Sequence, residues 1–326
     1  MRSVNLLPRV VVLGVAVALE LAGVLSGRPA AAASVAWQVV PSPNPTPGRT
    51  DLNGVACTTV SNCWAVGYAT SLNDRPVILH WSGSAWSRFS SPSFSVSAVL
   101  NRVACASASS CWAVGTTEYQ RAPKHALVEH WDGGAWSASF LPDPAGGIQP
   151  AIADVACVTA SDCWVVGSYL SNAQPQTEPL AEHWNGSSWT SVSTASPSAG
   201  DVLWGVACTS TSYCLAVGAT SSGLAAERWN GSAWAFVAPP KPIPGGSPVF
   251  KAVTCASATE CWAVGAANSY PSGVVIEEWN GAAWTLFEPS STNGAGELDA
   301  VTCVSAGDCW SVGGGPALAV HWNGST

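Results

Sequence analysis

The feature that most constrains this chain is a Cys-x5-Cys pair that recurs six times at a spacing of about 49 residues. It usually continues as Cys-Trp-Ala-Val-Gly and is followed by a Trp-x4-Trp unit. The pairs are Cys57/Cys63, Cys105/Cys111, Cys157/Cys163, Cys208/Cys214, Cys255/Cys261 and Cys303/Cys309, which absorb all 12 cysteines. Trp64, Trp112, Trp164, Trp262 and Trp310 follow the second Cys. The later pairs are Trp81/Trp86, Trp131/Trp136, Trp184/Trp189, Trp229/Trp234 and Trp279/Trp284. Only Trp37, Trp204 and Trp322 stand outside these two classes. A fixed period of this length is the mark of a repeat architecture.

Within a repeat, short β-rich runs alternate with Ser, Thr, Gly and Asn. In the fourth they are Leu203 to Cys208, Tyr213 to Gly218, Leu224 to Trp229 and Trp234 to Val237. This predicts a four-stranded antiparallel meander. The Asn185-Gly186, Asn230-Gly231, Asn280-Gly281 and Asp132-Gly133 pairs supply the positive-φ chemistry of a tight hairpin between the third and fourth runs. The Asn-Gly-Ser triplets also match a glycosylation acceptor. The turn reading is preferred because the variants keep the turn chemistry and lose the acceptor. Each Cys pair falls between the first two runs, so it predicts a disulfide across a hairpin, worth about 2 kcal/mol in the chain-entropy model. Five residues between cysteines is too wide for the usual zinc spacing. In Cys-Trp-Ala-Val-Gly, alternation puts Trp and Val on one face and Cys, Ala and Gly on the other, so packing of stacked sheets is the expected role of these Trp residues.

The sixth repeat stops at His321-Trp-Asn-Gly-Ser-Thr326, where its fourth strand should follow. A matching strand stands at the other end, Ser34-Val-Ala-Trp37-Gln-Val-Val. Trp37 precedes Cys57 by 20 residues, against 19 to 21 for the corresponding Trp in the other repeats. The expected fold is therefore all-β, a six-bladed β-propeller of four-stranded antiparallel blades over 34–326, closed by residues 34–43 completing the last blade.

Residues 1–33 carry Arg2 and Arg9, an apolar run and a small-residue stretch ending at Ala33. This is the layout of a secretory signal peptide; retention as an anchor is the alternative. Paired thiols agree with an extracellular location. From Ser34 on, 9 basic and 19 acidic residues leave a formal charge near −10, which argues against nucleic acid as a partner. No cofactor or metal motif is present, and the chain is expected to be a monomer that does not associate with the membrane once the signal is removed.

The repeats resemble kelch and galactose-oxidase-type blades, with Gly67, Gly115, Gly167, Gly218, Gly265 and Gly313 closing the second strand and the Trp-x4-Trp pairs following. Trp131-Asp-Gly-Gly-Ala-Trp136 resembles the Asp-box turn of sialidase-type propellers. These resemblances imply a propeller and license no reaction by themselves. The loops between second and third strands vary most, and recognition is usually placed on such loops. They hold Tyr68, Asp74, Arg75, Glu118, Tyr119, Arg121, Tyr169, Gln174 and Tyr270, a set suited to a glycan or an extracellular protein. Glu129-His130, Glu182-His183, Glu227-Arg228 and Glu277-Glu278 recur before the third-strand Trp and read as surface pairs. The leading expectation is a non-catalytic binding or scaffold protein. The alternative is a sialidase- or glycosidase-like hydrolase or lyase at the central channel, which would need two flanking carboxylates.

Deleting residues 34–43 is expected to lower the Tm by about 10 °C, since loss of a packed Trp strand costs about 3–5 kcal/mol and each kcal/mol is worth about 2–4 °C in a chain of this size. An unchanged calorimetric melt would rule out closure by this segment.

Overall fold

The computed structural model describes residues 40–43, 49–70, 74–92, 94–118, 124–173, 176–195, 200–240, 247–267, 273–288, 296–314 and 317–325. Blade one is β1 (Thr50–Thr59), β2 (Asn62–Ala69), β3 (Arg75–Trp81) and β4 (Trp86–Phe89). Blade two is β5 (Ser97–Ser107), β6 (Ser110–Glu118), β7 (His125–Trp131) and β8 (Trp136–Phe140). Blade three is β9 (Gly147–Thr159), β10 (Asp162–Ser171), β11 (Thr177–Trp184) and β12 (Trp189–Ser191). Blade four is β13 (Val202–Ser210), β14 (Tyr213–Thr220), β15 (Gly223–Trp229) and β16 (Trp234–Phe236). Blade five is β17 (Val249–Ser257), β18 (Glu260–Ala266), β19 (Val274–Trp279) and β20 (Trp284–Phe287), and blade six is β21 (Ala300–Ser305), β22 (Asp308–Gly313) and β23 (Leu318–Trp322). Each sheet is a separate antiparallel meander in sequence order, giving the six-bladed all-β propeller that the repeat predicts. Blade six has three strands among the described residues. Of the segment assigned to its fourth position, 34–39 lie outside them and 40–43 form no strand. Among the described residues there is no helix long and apolar enough to cross a membrane.

All six disulfides form, each between direct cross-strand partners of the first two strands: Cys57–Cys63, Cys105–Cys111, Cys157–Cys163, Cys208–Cys214, Cys255–Cys261 and Cys303–Cys309. The two ends of each bridge differ in environment. The second cysteine, Cys63, Cys111, Cys163, Cys214, Cys261 or Cys309, is buried, whereas the first is not. Cys261 packs among Leu215 and Val217 of blade four, and Cys309 against Trp262 and Val264 of blade five. These residues are therefore core as well as cross-link, and none of the six buried cysteines belongs to a ligand surface.

In blades one to four the indole N–H of the first Trp of the pair ties the disulfide hairpin to its own blade. Trp81 donates to the Val60 carbonyl at 3.1 Å, Trp131 to Ala108 at 3.1 Å and Trp229 to Thr211 at 3.2 Å. The hairpins between third and fourth strands differ from the expected two-residue turn. Only the glycine is left-handed, as at Gly133 (φ 96°) and Gly231 (φ 94°). The residue before it contributes through its side chain: Asn230 Oδ1 accepts the Ser232 and Ala233 N–H groups, and Asp132 Oδ1 those of Gly134 and Ala135. Asn and Asp are thus selected as acceptors for two turn amides.

The core lies between blades. Trp64 and Val66 of blade one pack against Cys111 and Ala113 of blade two, Trp112 and Val114 against Cys163 and Val165, and Trp164 and Val166 against Cys214 and Ala216. The large face of each second strand meets the small face of the next. Trp64, Trp112, Trp164 and Trp262 are buried against the aromatic residues of the following blade; Trp164, for instance, lies 4.7 Å from Trp229 and edge-on to Trp234 at 5.0 Å. On its other side each of the first three stacks on a third-strand His of its own blade: His80, His130 or His183. Trp310 of blade six stacks on His321 but is 44% exposed.

The first strands of consecutive blades stand side by side from blade one to blade six, and a bulge in blades one to five displaces one residue. In blades one, two and five the displaced side chain clasps the next blade. Asn53 and Asn101 donate to the Leu100 and Ile152 carbonyls at 2.9 Å, and the Lys251 ammonium bridges Glu297 at 2.6 Å and Asp299 at 2.8 Å. Asp154 serves blades three and four, accepting the Val206 N–H at 2.9 Å. The first strand presses a carbonyl onto the glycine that ends each Cys-Trp-Ala-Val-Gly run. A Cβ at position 115 would overlap the Val99 carbonyl oxygen. Gly115→Ala is therefore expected to destabilise the fold by about 1–3 kcal/mol, the range for overpacking, read as a lower urea midpoint at unchanged m-value.

Candidate ligand-binding site

Four of the loop residues singled out in the sequence have described side chains. Tyr68 faces its strand partner Asp51, whose carboxylate pairs with Arg49 at 2.8 Å. The hydrogen bond to Asp51 and partial burial push the Tyr68 phenol up. Asp74 stitches blade one to blade two, its N–H donating to Ser97 Oγ and its carbonyl accepting from the Ala98 N–H. The Arg75 guanidinium donates to the Phe94 carbonyl. Tyr169 lies on blade three with its ring against Gly147. The structure thus gathers Tyr68, Asp74 and Arg75 on blades one and two and sets Tyr169 apart. Glu118 ends β6. Tyr119, Arg121, Gln174 and Tyr270 lie outside the described residues.

The Glu residues expected at the surface are instead fully buried. Glu129, Glu182, Glu227 and Glu277 occupy one third-strand position in blades two to five, each with no exposed area. Strand alternation turns this position inward, while the neighbouring His or Arg faces the Trp side. Glu129 Oε1 accepts from Ser91 Oγ of blade one at 2.8 Å, Glu182 Oε1 from Ser191 Oγ at 2.8 Å, and Glu227 Oε2 from the Ala195 N–H of blade three at 2.7 Å. Glu277 has neither oxygen hydrogen-bonded. Desolvation disfavours the carboxylate and raises Glu129 and Glu182 to about 7 and Glu277 to about 8. Near neutrality the protonated and ionised forms of Glu129 and Glu182 therefore coexist, while Glu277 is mostly protonated.

Beside the first of them opens a pocket of about 330 Å3 between blades one and two. One wall is the outgoing link of blade one, Phe89 to Pro92. The other is the hairpin of blade two, with Trp131, Gly134, Ala135 and Trp136. Trp131 and Trp136 are held 5.9 Å apart by their cross-strand pairing, and Phe89 meets Trp131 edge-on at 5.5 Å. Ser91 lines the pocket and bonds Glu129 behind it, and the buried Trp136 indole N–H has no partner. The arrangement offers the Phe89 ring and the edges of two mostly buried indoles, with a hydroxyl backed by a carboxyl group, at a volume within the range of small-molecule sites. It lies on the hairpin side of the blade, away from the loops that the sequence favoured. A sequence signal for it exists: Trp131-Asp-Gly-Gly-Ala-Trp136 is the unit that resembles the Asp-box turn. Among the described residues, no group of three or more His, Cys, Asp or Glu is placed to hold a metal ion.

No protein-family model and no curated protein sequence matches the chain. Solved structures match the fold. A structure described as YCF48 bound to D1 peptide aligns with a TM-score of 0.54 at 16% identity over 88% of this chain and 86% of that one. The fucose-specific lectin from Aleuria aurantia aligns with a TM-score of 0.53 at 13% identity, covering 85% of this chain and 93% of the lectin. The Hadza microbial sialidase Hz136 aligns at 0.54 and 10% identity over 79% of this chain and 62% of its own. At these identities the likeness establishes a propeller with lectin-like and sialidase-like neighbours. The kelch resemblance extends no further than the blade.

Raised glutamate pKa values make stability depend on pH. The folded state keeps protons that unfolded carboxyls, near 4.5, release, so this contribution grows as pH falls through 8 and 7 and is complete below 4.5. Burial lowers His80 and His130 below 6.5, so their contribution is present above that value and lost as pH falls. The Tm is therefore expected to rise by several degrees from pH 9 to about 6.5 and to level off or fall in more acid buffer. Glu277→Gln should raise the Tm at pH 8.5 and flatten the slope; a Tm that falls steadily from pH 9 to 6.5 contradicts this account.

Proposed function

We propose that the protein is a secreted, non-catalytic binding propeller that recognises carbohydrate. The observation that carries this reading is the pocket between blades one and two, where the exposed edges of Trp131 and Trp136 and the Phe89 ring lie beside Ser91, which is hydrogen-bonded to the Glu129 carboxyl. A saccharide ring offers the complement, an axial C–H face for the indoles and hydroxyls for the polar pair. The Trp pair and the buried Glu recur in blades three to five, as Trp184/Trp189 with Glu182, Trp229/Trp234 with Glu227 and Trp279/Trp284 with Glu277. A fucose-specific lectin among the fold neighbours supports the reading. Secretion rests on the N-terminal segment and agrees with six disulfides. The hydrolase alternative needs an acid and a base on opposite sides of a bond. Two carboxylates just before β21, Glu297 and Asp299, instead share the single ammonium of Lys251, which favours binding over turnover.

The test is a glycan array with the protein from residue 34 on, followed by calorimetric titration of the strongest soluble hit and a reducing-end assay. Trp136→Ala is expected to weaken binding about tenfold or more. Gly134→Arg should do the same while keeping the wild-type Tm, because a side chain at Gly134 meets only Asp132 Oδ1 at 3.5 Å and would fill the pocket mouth. An array without hits, hits untouched by either substitution, or release of reducing ends would overturn the proposal.

A further inference from the structure

Trp204 is the one described tryptophan that neither follows a second Cys nor belongs to a third- or fourth-strand position. It sits at the bulge of β13, on the innermost strand of blade four, between Leu203, which pairs with Gly218, and Gly205, which pairs with Val217. In the other blades this position holds Asn53, Asn101, Ala153, Lys251 and Asp299. Three of these clasp the next blade, and Asp299 receives the clasp of Lys251. Trp204 leaves 47% of its surface exposed, while the tryptophans after the second Cys in blades one, two, three and five are no more than 4% exposed. Placing a large indole on a polar inner strand opposes the hydrophobic drive that buries those four.

The neighbours on either side fit a ligand. On the preceding inner strand the same position is the small Ala153. On the following one it is Lys251, and Gly205 abuts that strand, its Cβ direction 3.2 Å from Ala252 Cα. The Lys251 ammonium uses two of its three protons on Glu297 and Asp299, whose side chains remain 43% and 49% exposed. The inner strands and the segment before β21 therefore present, in order, a small residue, an exposed aromatic ring, a cationic donor and two partly exposed carboxylates.

We propose that Trp204, Lys251, Glu297 and Asp299 form a saccharide-binding site on the inner wall of the propeller, separate from the pocket between blades one and two. A sugar stacks its C–H face on Trp204. Its hydroxyls accept from Lys251 and donate to Glu297 and Asp299. A hydroxyl is the group that satisfies both kinds of partner, since it donates and accepts at once. A cationic side chain would gain from the indole and the carboxylates but would meet the Lys251 charge. An anionic ligand would meet two carboxylates against one ammonium.

The experiment uses the Gly134→Arg protein, in which the inter-blade pocket is filled, so that the two sites are read separately. It is screened on the glycan array, and the strongest soluble oligosaccharide hit is titrated against Gly134→Arg and Gly134→Arg/Trp204→Ala. Saturation-transfer NMR is expected to mark one sugar face, and removal of Trp204 should weaken binding about tenfold or more at unchanged Tm. Lys251→Met, in the same background, should weaken it as well. Glycan hits with wild type that vanish with Gly134→Arg would overturn the channel site and leave the inter-blade reading standing. Equal affinity with and without Trp204, or binding of an oligolysine peptide in place of any glycan, would also overturn it.

Discussion

Everything in this molecule depends on one packing rule, that the large face of each blade must meet the small face of the next. Trp and Val in the second strand project one way; Cys, Ala and Gly project the other. An indole against another large face would hold the sheets too far apart, and two small faces would leave a void. Cavities and overpacking both cost stability on the kcal/mol scale. The rule has a direction, because blades one, two, three and five each give their tryptophan to the blade that follows. Where the pattern relaxes the packing changes with it: blade four has Leu215 in place of the Trp, and Trp279 of blade five reaches Tyr213 of blade four, donating to its hydroxyl at 2.8 Å.

The repeat is so regular that the fold is legible from the residues alone. The period, the disulfide pairing, the two faces of Cys-Trp-Ala-Val-Gly and the four strands of blades one to five all appear in the structure. The buried glutamates contradict the surface expectation for a physical reason. A Glu followed by His or Arg looks like a solvated pair, and residue type hides strand position. Yet the same position is Leu79 in blade one and Val320 in blade six, and alternation alone assigns it to the core. The hairpin turn is legible in its residue types and not in its mechanism, because Asn can act by left-handed backbone or by side-chain acceptor and the sequence does not separate the two.

The site is less legible than the scaffold. Loop variability points to one face, while the described pocket is built from scaffold residues, the very Trp pair that the repeat assigns to packing. Trp131 and Trp136 do both jobs: one side of the pair covers Trp64 of the preceding blade, and the pair also lines the opening. A residue that serves the core and a surface cavity together leaves no separate sequence signal. The inner strands show the opposite case. Their bulged position is polar in three of five blades, so a Trp there stands out only after the six repeats are laid in register.

The disulfides carry a consequence for biosynthesis. Each joins two cysteines that follow one another in the chain, and none links two blades. A polypeptide emerging vectorially into an oxidising compartment would therefore find the native partner of every thiol within the hairpin just delivered. Oxidation in order of arrival is already the native connectivity, so no shuffling of early, wrong pairs is required. Every blade can thus be covalently complete before its neighbour arrives, which makes the blade the unit of folding, of damage by reductants and of gene duplication alike.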